Sequence, residues 1–110
     1  MNVKGHVRGL STFYAESGLE RVEIWVEKDK AGDLPYEIGK RVPIEFSIQT
    51  ETFLAGLRAT EKTTYVWVSP DLLDENRQKV SLAMVLDKYD VTKNQEIVLQ
   101  VEGTRISLVL

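Results

Sequence analysis

Arg58, Thr60, Lys62, Thr63 and Thr64 crowd into one short stretch that only Glu61 interrupts with a negative charge. A guanidinium forks onto a phosphate or a guanine edge, and threonine hydroxyls beside a lysine ammonium suit phosphate oxygens. Arg77 and Lys79 stand in a second polar turn, placed to approach the same side. These seven residues form the candidate DNA-contacting set. The plainer reading, a polar connector between two strands, stays open beside it. For Lys4, Arg8 and Arg105 the strand direction decides the face.

Other chemistries find less material. His6 is the only histidine, and no Gly-x-Ser-x-Gly turn accompanies it, so no nucleophile–base pair is readable. There is no cysteine, which removes disulfides, thiolate chemistry and the usual His/Cys zinc sites. Asp71, Asp74 and Glu75 lack the spacing and glycine of a calcium loop, and read as acids at a solvated helix N-terminus. Gly5 and Gly9 are not followed by the Lys-Ser/Thr of a phosphate-binding loop. Catalysis needs grouped titratable side chains. None is found, so the expectation is a protein that is not an enzyme, with no catalytic residue, metal or cofactor.

The elements that must position the basic stretch are mostly strands. Val22, Ile24 and Val26 alternate with Glu23, Trp25 and Glu27, the pattern of a half-buried strand. Val42, Ile44, Phe46 and Ile48 alternate in the same way, and Pro43, which has no N–H, places this strand at an edge or turns its nitrogen outward. Residues 52–60 continue as strand, with Gly56 marking a bulge or a close approach. Thr64 to Val68 is another strand, ended by Ser69-Pro70, after which Asp71-Leu72-Leu73 reads as one helical turn. Ser81 is placed to cap a helix over Leu82–Lys88. Two further alternating runs follow, through Ile97, Leu99, Val101 and through Ile106, Leu108, Leu110. Val3 to Leu10 forms a first strand weakened by Gly5 and Gly9. The sum is a mainly β fold, a small barrel or pseudobarrel of about seven strands with one or two short helices, spanning residues 1–110 as a single domain. Trp25, Tyr65 and Trp67 lie on such strands. If two of them share an exposed face, base stacking or a protein interface becomes available; packing is the plainer role.

Composition fits a folded domain: 110 residues, 43% hydrophobic and 28% charged. The net charge is −3, and residues 1–55 carry 7 basic and 9 acidic groups against 7 and 8 in the remainder. An even, mildly acidic balance counts against strong nonspecific nucleic-acid binding, though it averages over any local basic face. No apolar run approaches the ~18 to 20 residues that span a bilayer, and the N-terminus lacks the apolar centre of a signal peptide. The expectation is a cytoplasmic protein without a membrane partner.

The stretch from Arg58 to Leu73, Arg-Ala-Thr-Glu-Lys-Thr-Thr-Tyr-Val-Trp-Val-Ser-Pro-Asp-Leu-Leu, resembles the effector domains of some restriction endonucleases, which are similar to the plant B3 domain. The segment from Val91 to Val101 also resembles the end of an AbrB-like or cradle-loop barrel, where a helix leads through a polar turn into a final hairpin. The resemblance covers about the last half of the chain. It implies a DNA-binding pseudobarrel that reads duplex DNA through loops and strand ends in the major groove, with 58–64 as a DNA-facing arm. The alternative kept open is a protein-interaction or oligomerisation β-module, docking a partner or a second copy through the Trp25 face and the Pro43 strand.

Overall fold

Alternating strands curl on themselves in the structure, a computed structural model that describes residues 1–110. The elements in chain order are β1 (Asn2–Phe13), β2 (Glu20–Glu27), β3 (Arg41–Ile48), β4 (Glu51–Arg58), β5 (Tyr65–Val68), β6 (Asp71–Leu73), β7 (Lys79–Ser81), α1 (Leu82–Lys88), β8 (Glu96–Glu102) and β9 (Arg105–Val109). The strands follow the order β3-β9-β8-β1-β2-β5-β4, and β4 pairs back onto β3, which closes a seven-stranded barrel. All pairings are antiparallel except β3 with β9. The β6–β7 hairpin hangs from β4 at Leu54. Closure removes the long open edges that a flat sheet of these strands would leave.

One residue in two faces inward. Val22, Ile24, Val26, Ile44, Phe46 and Ile97 are buried in a single core, and no polar or charged residue is buried with them. The helix closes one end of this core with Leu82, Val85 and Leu86. It begins where expected: Ser81 keeps an extended backbone and its Oγ accepts from the Met84 N–H at 3.1 Å. No helix of the protein is long and apolar enough to cross a membrane.

Two local expectations change and a third is narrowed. Asp71–Leu73 is strand β6, not a helical turn. Leu72 is buried between an exposed Asp71 and a half-buried Leu73, so period-two alternation continues past Ser69-Pro70. The pairing with β4 shifts there, from Leu57↔Val68 to Leu54↔Leu73, so the Ser-Pro step is a bulge between two lengths of strand. The acids after Pro70 accordingly do not sit at a helix N-terminus. Asp71 pairs with Arg21, and Asp74 Oδ1 accepts the N–H groups of Asn76 and Gln78 to close the β6–β7 turn. Finally, β3 is an edge only where Pro43 lies. The Glu45 N–H bonds Thr104 O, on the side where β9 joins, and Pro43 points the same way two residues earlier, before β9 begins.

Candidate functional site

Strand order and direction bring the start of β1, the end of β2, the start of β3, the end of β4 and the start of β5 to one end of the barrel. The connectors 28–40 and 59–64 meet there. The Lys28 N–H donates to Thr64 O at 2.9 Å, the Gly39 N–H to Ala59 O at 2.8 Å, and Lys28 Nζ to Thr60 O at 2.6 Å. Within 59–64 the threonines shape the turn. The Thr60 N–H bonds Thr63 Oγ1, the Thr63 N–H bonds Thr60 Oγ1, both at 3.2 Å, and Thr63 Oγ1 donates to Tyr65 O at 2.9 Å. Two of the three threonine hydroxyls are thus engaged in shaping the turn that carries Lys62.

At this end Lys4 on β1 pairs with Glu96 at 3.8 Å and Arg105 on β9 with Glu45 at 3.1 Å, but six cations of the connectors and adjoining strand ends have no such partner. None of Lys28, Lys30, Lys40, Arg41, Arg58 and Lys62 pairs with a carboxylate, although Glu27, Asp29, Asp33, Glu37 and Glu61 share the same connectors. Toward the helix, Arg21 pairs with Asp71 at 3.5 Å, Lys88 with Glu51 at 3.0 Å and Lys93 with Glu20 at 2.9 Å. Arg77 and Lys79 are unpaired, but they stand on the β6–β7 hairpin, beside Leu54 rather than Arg58. Four residues of strand separate those positions, about 13 Å. The structure therefore gathers Arg58, Thr60, Lys62, Thr63 and Thr64 and leaves Arg77 and Lys79 elsewhere on the surface.

Register builds a second feature on the outer wall. His6 pairs with Trp25, Trp25 with Trp67, Trp67 with Arg58, and Arg58 with Arg41, one row across five strands. Trp25 stacks on Tyr65 with ring centroids 3.5 Å apart and an 8° interplanar angle. The Arg8 guanidinium lies over the Trp25 ring, 4.9 Å from its centroid. Trp25 Nε1–H donates to Glu23 Oε1 at 2.9 Å. Burial raises the Glu23 carboxyl above its ordinary range, opposed by this bond and by the Arg21 charge. Burial also raises the Tyr65 phenol, with the nearby Glu23 charge adding to it and Arg8 opposing.

Arg41 and Arg58 are directly opposed across β3 and β4 with no carboxylate between them. Opposed like charges cost sheet stability. Arg41 lies flat across β4 because Gly56 has no side chain; a Cβ there would collide with Arg41 Nε. Between this pair and Trp67 opens a cleft of about 440 Å³, also lined by Arg21, Glu23 and Asp71.

Among known proteins nothing matches. No family model, no curated protein and no solved structure is similar to this chain. The site therefore stands on its geometry. Sequence reasoning found Arg58 and the aromatic residues but missed Arg41. The signal was present: two alternating runs separated by Gln49-Thr50 make a tight hairpin, which sets Arg41 opposite Arg58.

Proposed function

We propose that this barrel is a non-catalytic DNA-binding domain that grips the phosphate backbone at the end where Lys28, Lys62, Arg41 and Arg58 converge. One observation carries the reading: Lys28, Lys62, Arg41 and Arg58 have no carboxylate partner, and Arg41 and Arg58 face each other directly across β3 and β4. An unpaired lysine or arginine retains its charge for a phosphate and releases counterions when it binds one. The likeness of residues 58–73 to B3-like effector domains points the same way, and a cytoplasmic location goes with it. The Thr60–Thr63 turn holds the basic side chains in place, and duplex DNA is the expected ligand.

Fluorescence anisotropy of a labelled duplex at about 50 and 200 mM salt tests this. The expected result is measurable binding at the lower salt, with a log–log slope of roughly −3 to −4, at about −0.9 per neutralised phosphate. Arg58→Ala and Lys62→Ala each shallow that slope by about 1. Absence of binding at the lower salt, or slopes unmoved by both substitutions, removes the reading.

A further inference from the structure

We infer that the cleft between Trp67 and the Arg41–Arg58 pair is a subsite for one unpaired nucleotide, so that the barrel prefers DNA carrying a single-stranded segment. The inference rests on the DNA-binding reading above and adds what that site selects.

The cleft's chemistry argues for an anion joined to a flat ring. Both carboxylates in it are already engaged: Glu23 takes the Trp25 indole N–H, and Asp71 takes Arg21 and the Tyr14 hydroxyl. Arg41 and Arg58 have no such partner, and they sit side by side despite their mutual repulsion. A phosphodiester placed between two guanidiniums relieves that repulsion and accepts forked hydrogen bonds from each. Trp67 stands next in the same row. Trp25 already stacks on Tyr65 and lies under Arg8, whereas Trp67, tilted against Tyr65 at 5.7 Å, is the indole that lines the cleft and receives the base. Stacking of a base on an aromatic ring is sequence-tolerant and needs that base out of its duplex.

A base inside a duplex is stacked between its neighbours and cannot lie on Trp67, whereas an unpaired base can, as bases do on other aromatic-bearing sheets. An acidic or phosphorylated peptide would satisfy the arginines but would leave the Trp67 face without a stacking partner.

Anisotropy with a fully paired duplex, and with the same duplex carrying a single-stranded dT tail, tests the inference. The tailed form is expected to bind about tenfold tighter at equal salt, and an oligo-dT alone to quench tryptophan fluorescence. Trp67→Leu should remove about tenfold from the tailed form's affinity, within the range seen for losing one stacked base. Should that variant fold poorly by circular dichroism, Arg41→Ala serves in its place and should cut the tailed form's advantage at least fivefold. Equal affinity for the two DNAs, or a tail advantage that survives the substitution, overturns the subsite while duplex binding keeps the DNA reading. Quenching by a phosphotyrosine peptide with oligo-dT silent reassigns the cleft and likewise overturns it. No binding of any DNA at low salt ends both readings together.

Discussion

Gly56 shows how a missing side chain can serve a site. Its φ is unexceptional, so the glycine is not there for backbone freedom. Its role is space: the Arg41 side chain crosses β4 over it, from a position directly opposite Arg58. Gly56→Ala should then act on position more than on stability. Alanine suits a strand better than glycine, and the colliding group is a flexible side chain that can swing away. The unfolding free energy from urea titration is expected to stay within about 0.5 kcal/mol of the parent, while DNA affinity falls as far as it does for Arg41→Ala. A G56A protein with undiminished affinity would show that the posture of Arg41 does not matter. Gly56 was legible in the sequence as a bulge or close approach. That the approaching group is Arg41 was not, because the contact runs between strands and not along one.

At the scale of elements, the long strand β1 depends on a bulge that a carboxylate holds. Its register against β2 shifts between Gly9 and Phe13, and Ser11 sits there at a φ of 62°. Glu20 Oε2 accepts the Ser11 N–H at 2.9 Å while Oε1 accepts from Lys93 Nζ at 2.9 Å, tying the bulge to the turn that precedes β8. The carboxylate occupies the room left by Gly9. The Lys93 bond, then the Ser11 amide, lowers the Glu20 pKa. A lowered folded pKa contributes stability above the unfolded value, near 4.3, and that contribution is lost as pH falls through the folded value. Glu20→Gln should therefore lower the urea midpoint at pH 7 and narrow its deficit at pH 3. A deficit as large at pH 3 as at pH 7 would mean that charge is not what holds the bulge. The sequence offered Gly9 as a weakness in the strand; it gave no sign of the partner, eleven residues away across a bend and on a different strand.

The whole molecule stands or falls with its closure. β3 lies parallel to β9 on one side and antiparallel to β4 on the other, and its pairing with β4 joins the two ends of the ring. Phe46 sits at the seam, fully buried, opposite Phe53 on one side and Ile106 on the other. Phe46→Ala should cost about 3–5 kcal/mol, the range for emptying a phenylalanine site in a packed core. Near- and far-ultraviolet circular dichroism should lose their signals together, since no part of the ring has a second core to fall back on. A loss under about 1 kcal/mol would mean that the seam can open without disturbing the rest.

The strands themselves needed only local information. Alternation in Val22–Val26, Val42–Ile48 and Ile97–Val101 fixes which side chains point inward, because successive residues of a strand face opposite ways whatever lies beside it. The helix over Leu82–Lys88 and its Ser81 cap are local in the same sense. The row His6–Trp25–Trp67–Arg58–Arg41 is of another kind. Its members come from five strands, and their adjacency depends on strand order and register, which nonlocal pairing decides. Composition shows an even −3 chain. Only the folded ring sets Arg41 opposite Arg58 and Trp67 beside them.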